Sequence, residues 1–162
     1  MKQPNVRLEF VDEIPKAHDE LNEAMCQCFA DTFVFYLKAH GYHWNVEGKD
    51  FGPFHTFFEL IYSEVYGTID KMAEEIRTLN HYALYRLHEF AEYRSLPDVP
   101  LTPTDPLNMV KDLYESNMTL IGRLNIAQSL AEKAGILGLA NYLQDRVDAH
   151  EKHGWMLRSF LK

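Results

Sequence analysis

Residues 43–74 read HWNVEGKDFGPFHTFFELIYSEVYGTIDKMAE, and the fold can be worked out from how this stretch repeats. After Pro53, the residues Phe54, Phe58, Ile61, Val65, Ile69, Met72 and Ile76 recur at intervals of three and four. That is the period of one long amphipathic helix, opened by Pro53 after a GKDFGP turn and continuing to Leu79 or Asn80. A second stripe carries His55, Glu59, Asp70 and Glu74. These four lie within roughly 100° of one another on a helical wheel, centred about 130° from the apolar set, with Tyr62 and Tyr66 at the near edge. With His43, they make five side chains of the types that ligate hard or borderline metal ions.

The helix sets a limit on what they can do together. His55 and Asp70 stand fifteen residues apart, about 22 Å along a helix rising 1.5 Å per residue. A small divalent ion holds its ligands at about 2.0–2.2 Å, so the two pairs of one helix cannot grip the same ion. Either there are two incomplete sites, or an antiparallel copy of the helix sets its own Asp70/Glu74 pair opposite His55/Glu59. A two-fold axis near Glu64 and Val65 would produce the second arrangement and two equivalent sites, and we favour it. Gly67 falls near that crossing, where a missing side chain would permit close approach; a merely tolerated weak spot explains it equally well.

Working outward, Pro15 opens an earlier helix with Leu21, Met25, Cys28, Phe29, Ala30, Phe33, Tyr36, Leu37 and His40 on its apolar side, ending between Trp44 and Gly48. Residues 85–93 form a short helix in the long connection that follows residue 80, after which Pro100, Pro103 and Pro106 halt regular structure. Asp105-Pro106 caps and opens a third long helix with Leu107, Val110, Leu113, Leu120, Leu124, Ala127 and Leu130 facing the core, and Gly135 ends it. A fourth long helix covers residues 137–161. Residues 1–14 have no period and read as an N-terminal arm, leaving 15–162 as one domain.

A chain of 162 residues is long enough to bury a substantial core. No run of about 18 apolar residues occurs, so no membrane span is expected, and the first fifteen residues lack the apolar centre of a signal peptide. A cytoplasmic location is the expectation. The net charge of −8 and the absence of a Lys/Arg cluster count against sequence-independent DNA binding. Cys26 and Cys28 point in different directions from one helix and read as buried thiols, not as a redox pair.

HWNVEG, then His twelve residues after His43, Glu four on, Asp eleven further and Glu four beyond, resembles the Dps family, the ferritin-like DNA-binding proteins from starved cells or mini-ferritins. DKMAEEIR at 70–77 resembles that family's second ferroxidase half, and HEKHGWMLRSFL at 150–161 its closing helix; the likeness spans the chain from about His18. It implies an all-α, ferritin-like four-helix bundle with a short helix in the connection between long helices two and three. It also implies a ferroxidase that oxidises Fe(II) with peroxide or oxygen, characteristically with hydrogen peroxide, and stores the ferric product in a hollow dodecamer. The metal-binding and catalytic set would be His43, His55 and Glu59 of one subunit with Asp70 and Glu74 of its two-fold mate. His43 owes its place, and iron its choice over zinc or manganese, to the resemblance.

Two departures stand out. The family usually has Asp where Glu59 stands, which implies retained binding with altered geometry. Some members hold DNA with a lysine-rich N-terminal extension, whereas this arm sets Lys2 and Arg7 against Glu9, Asp12 and Glu13. A DNA-compacting scaffold with weak or no ferroxidase activity is therefore the alternative, not the preferred reading. No Glu-x-x-His occurs, so a di-iron centre inside one bundle lacks its usual ligands, and there is no HExxH. Asp145 and Asp148 could line a cation-attracting pore or be solvated charges. His40 is read as a hydrogen-bonded packing residue, Trp44 as a neighbour of the site or an interface or core aromatic, and His81 and His88 as surface residues. His150 and His153, which could hold a metal, are read instead as salt-bridging or inter-subunit packing residues.

Overall fold

The computed structural model describes residues 16–98 and 105–162; the arm expected at 1–14, Pro15, Pro100 and Pro103 lie outside them. Five helices follow in order: α1 (Lys16–Asn45), α2 (Phe51–Thr78), the short α3 (Leu87–Tyr93), α4 (Pro106–Lys133) and α5 (Leu137–Phe160). Side-chain pairs give their directions. Gln27 meets Arg123 while Lys38 and Tyr42 meet Asp112, so α1 and α4 are antiparallel. Phe54 and Phe57 pack on Phe160 while Thr68 meets Tyr142, so α2 and α5 are antiparallel as well. With α1 packed on α2 and α4 on α5, α2 and α4 run the same way. The connection over residues 79–105 must then travel the length of the bundle, the single long crossover of a ferritin-like four-helix fold.

Two helix starts differ from the sequence reading. α2 begins at Phe51, not at Pro53: Gly48 turns the chain with φ +110°, and the Phe51 and Phe54 N–H groups donate to the Gly48 and Asp50 carbonyls. Pro53 sits inside the first turn, where no N–H is required. The short helix begins at Leu87, not at residue 85, because the Glu89 carboxylate accepts from the Tyr85 and Arg86 N–H groups and holds them as a cap. At the other stops, Asp105 Oδ1 accepts from Leu107 N at 3.0 Å, and Gly135 closes α4 with φ +73°. Asn80 does the same for α2 at φ +64°, with the His81 N–H reaching back to the Ile76 carbonyl.

On α1 the expected residues Leu21, Met25, Cys28, Phe29 and Ala30 are buried, but Leu37 is 49 % exposed, while Phe35 and Ala39, absent from the expected stripe, are fully buried. α1 touches α2 and α4 at once, so its buried arc is wider than one stripe. Leu107 on α4 is likewise exposed. Both cysteines are buried free thiols; burial pushes Cys28 up and, with Glu23 and Glu89 nearby, Cys26 up to about 11.

Two buried polar groups tie the long elements together. Asp31, fully buried on α1, accepts from Ser95 N at 2.7 Å, Ser95 Oγ at 2.6 Å and Leu96 N at 3.0 Å, pinning the crossover just past α3. The second lies between α2, α4 and α5. Arg146 donates to both Glu64 oxygens, at 2.5 and 3.1 Å. His153 Nε2 lies 3.5 Å from Glu64, and His150 Nδ1 sits 2.8 Å from Asn117 Oδ1. His150 and His153 are thus buried inside the chain, which corrects the expectation of inter-subunit packing, though His153 does face a carboxylate. For Glu64, burial pushes the carboxyl up, but Arg146 and then His153 more than offset it and hold it below its ordinary value.

Replacing Asp31 with Ala leaves three donors without their shared acceptor. The expected loss is about 3 kcal/mol or more, read from chemical denaturation. The histidines make stability depend on acid. Burial, followed by His153 and Arg146, holds His150 well below its ordinary value; burial, with Arg146 and Lys152 against the pull of Glu64, lowers His153 to about 4. An unfolded histidine titrates near 6.5. The unfolded chain therefore binds more protons between those limits, and stability falls as pH drops from about 6.5. The slope is at most ~1.4 kcal/mol per pH unit for each ring. Denaturation midpoints should fall from about pH 7 to 5, and His153→Gln should flatten that fall.

Candidate metal centre

His43 sits in the last turn of α1 and His55 near the start of α2, and a short turn folds one against the other. Their rings stack at 3.6 Å with planes 23° apart. Each hydrogen-bonds the other's backbone: His43 Nδ1 lies 2.9 Å from the His55 carbonyl, and His55 Nδ1 lies 2.8 Å from the His43 carbonyl. A carbonyl only accepts, so both Nδ1 atoms carry a proton, and each ring in its neutral form keeps a lone pair on Nε2. The bond also has a structural use. The His43 carbonyl belongs to the last turn of α1, where no helical N–H can reach it.

An aromatic shell holds the pair in place. Phe51 packs on His55 and Tyr62 edge-on to His43. His40 stacks on Tyr62 at 3.9 Å, lies 4.1 Å from Trp44, and shares a hydrogen bond with the Tyr36 hydroxyl at 3.1 Å. Burial and then His43 lower the His40 pKa. His40 is thus the packed, hydrogen-bonded residue expected from its position. Trp44 flanks the site with 60 % of its surface exposed. Tyr36 and Tyr66, 5.2 Å apart, extend the cluster along α2. The sequence reading picked out Tyr62 and Tyr66 as marginal to the ligand stripe, but nothing in it joined them to Tyr36 on another helix.

Glu59, one turn beyond His55, is exposed, as are Asp70 and Glu74 near the far end of α2. None of the three makes an ion pair among the described residues; the nearby Lys71 is taken by Glu75 at 2.6 Å. α2 is continuous from Phe51 to Thr78, so the two ends stay about 22 Å apart. Among the described residues, no three His, Cys, Asp or Glu side chains gather as a metal cage. One chain brings the His43 and His55 rings together, with Glu59 one helical turn further along α2, and leaves Asp70 and Glu74 near the far end of that helix. Gly67 is exposed, and a Cβ added there would meet nothing within 4 Å, so this chain's own packing does not require glycine at that position. His81 is half-buried instead of lying at the surface, while His88 is exposed.

A bundle with one long crossover, carrying a histidine pair between its first two helices and carboxylates on the second, is matched by the family model for the ferritin-like domain over residues 19–162. The chain belongs to the ferritin-like proteins. It is 33% identical over 134 residues to the DNA protection during starvation protein of Brevibacillus brevis, covering 82% of this chain and 89% of that one. It is 32% identical over 143 residues to general stress protein 20U of Bacillus subtilis, covering 88% and 98%. Among solved structures, a Dps protein from Bacillus brevis superposes with TM-score 0.85 at 28% identity, covering 91% of this chain and 98% of that one. Dps from Vibrio cholerae, described as a member of a broad superfamily of ferritin-like diiron-carboxylate proteins, superposes with TM-score 0.86 at 26% identity, covering 98% and 100%. Within the ferritin-like proteins this chain is a member of the Dps family. No helix among its described residues is long and apolar enough to cross a membrane.

Proposed function

We propose that this protein protects against oxidative stress by oxidising Fe(II) at a centre shared between two subunits and storing the ferric product inside a hollow homo-oligomer, a dodecamer by analogy with the family. The observation that carries this reading is the reciprocal His43–His55 hydrogen bonding, which aims two bare Nε2 lone pairs out of one stacked pair. Each lone pair lies in the plane of its own ring. In-plane lone pairs of two stacked rings, with centres 3.6 Å apart and planes inclined by 23°, do not converge on one ion about 2.1 Å from both nitrogens, so the stack favours one imidazole for each of two neighbouring ferrous ions. Glu59 supplies a carboxylate from the same subunit, and the unpaired Asp70 and Glu74 of a two-fold mate supply the rest.

Iron here is the substrate. The carboxylates add negative charge, which favours Fe(III) over Fe(II), and two ferrous ions each give one electron to a single hydrogen peroxide. No radical needs to leave the site when both electrons are supplied together. The exposed Leu37, Trp44, Leu60 and Tyr66 on α1 and α2 support a second copy covering this face, since apolar patches of this kind mark contact surfaces. The net charge of −8 suits a cage that attracts cations more than one that holds DNA.

Anaerobic Fe(II) loading followed by stopped-flow absorbance on adding peroxide or oxygen tests the chemistry. Ferric formation should be fast with peroxide and should drop to the rate in buffer for Asp70→Ala/Glu74→Ala, with the assembly intact by light scattering. A wild type no faster than buffer would sink the enzyme reading. Complementation tests the sharing. His55→Ala and Asp70→Ala subunits should each be inactive alone, yet random co-assembly should restore about one quarter of the sites, because half of the two-fold pairs are mixed and each mixed pair has one intact site. No recovery from mixed assemblies would mean that the site does not cross subunits.

A further inference from the structure

Three buried polar atoms in the centre of the bundle have no hydrogen-bond partner: His150 Nε2, His153 Nδ1 and Arg146 Nε. All three residues lie on α5 and are more than nine-tenths buried. Their proton states follow from their neighbours. Asn117 donates its amide N–H to the His150 carbonyl at 2.8 Å, which turns its Oδ1 toward His150 Nδ1 at 2.8 Å. Oδ1 can only accept, so the proton is on Nδ1, and Nε2 has a bare lone pair. His153 Nε2 faces the Glu64 carboxylate at 3.5 Å. A lone pair there would be repelled, so Nε2 carries the proton and Nδ1 has the bare lone pair. Arg146 Nε is a donor without an acceptor, because its two terminal nitrogens serve Glu64.

Two acceptors and one donor left over in one buried layer are the complement of a water molecule, which has two O–H groups to give and a lone pair to receive. The His150 and His153 rings are neighbours in edge-to-face contact, with centres 5.2 Å apart and planes at 88°, so a water beside that contact can be within reach of both rings. A metal ion is the competing occupant, because each ring has its other nitrogen anchored as a ligating histidine does. Charge decides against it. Glu64 is already neutralised by Arg146, so a divalent cation would add two uncompensated charges beside a guanidinium, which a buried site strongly disfavours. No third carboxylate, thiol or imidazole joins the pair among the described residues.

We propose that His150, His153 and Arg146 enclose one internal water that bridges the two bare imidazole nitrogens and holds both rings in the orientation that locks α5 to Asn117 of α4 and Glu64 of α2. Gly154 belongs to the same lock. A Cβ there would come 3.1 Å from Asn117 Nδ2, crowding the amide that orients His150.

The test is a crystal structure of the whole assembly, with diffraction data collected above and below the zinc and iron absorption edges, from crystals soaked in zinc. The expected result is one peak of water density about 2.7–3.1 Å from both His150 Nε2 and His153 Nδ1, without anomalous signal even when zinc is present. An anomalous peak between the rings would overturn the proposal in favour of a metal site. No density, or a peak touching only one ring, would overturn the bridge. A second crystal, of His153→Phe, should lack the peak while His150 keeps its bond to Asn117; a peak that stays would show that the water does not depend on the pair.

Discussion

A helix rising 1.5 Å per residue holds its own ends apart, and the shared centre proposed for this protein depends on that spacing in α2. His55 and Glu59 stand near one end, Asp70 and Glu74 near the other, and the helix between them is unbroken. On the proposed reading, one chain therefore carries two halves of a centre and completes neither. Because the halves stand at equal distances from Glu64 and Val65, a two-fold operation would pair them twice. Metal chemistry and assembly become one problem, since an isolated subunit offers histidines without enough carboxylates at one end and carboxylates without histidines at the other.

The core has its own polar logic. A four-helix bundle of this size has ample apolar surface to bury, yet Asp31, Glu64, Arg146, His150 and His153 are placed inside or at the edge of it. Such groups add little net stability compared with apolar residues of the same shape. What they add is registration. Asp31 recognises two backbone N–H groups at one point of the crossover, and Glu64, Asn117 and the α5 histidines meet only when three helices have slid to one position. The same burial makes the layer sensitive to acid, since protonating either ring would place a further cation beside Arg146.

Much of this was legible in the chain before folding. The spacing of three and four marks α2, α4 and most of α1, because a helix exposes its period directly in sequence. Capping at Asp105-Pro106 and the stop at Gly135 are local chemistry, needing only neighbours in the chain. Sequence alone puts the start of α2 two residues late, because Pro53 looks like an opening residue, while the turn at Gly48 that sets the true start depends on a backbone angle. Phe35 and Ala39 were missed on α1 because a helix gripped on two sides buries more than one stripe. Burial of His150 and His153 is not legible locally, because Asn117 and Glu64, which claim them, lie on other helices.

By itself the sequence determined the all-α architecture, the long crossover, the membership suggested by the HWNVEG stretch, and the five ligand-type side chains with the distance that separates them. These are properties of a periodic chain, in which neighbours in sequence are neighbours in space. The tertiary structure alone decided the proton positions on His43 and His55, the aromatic wall drawn from α1 and α2, the burial of Asp31, and the unpaired nitrogens of the α5 layer. Each of these depends on a hydrogen bond or a contact between residues far apart in the chain. Only packing brings such partners within the roughly 3 Å at which a hydrogen bond chooses its donor.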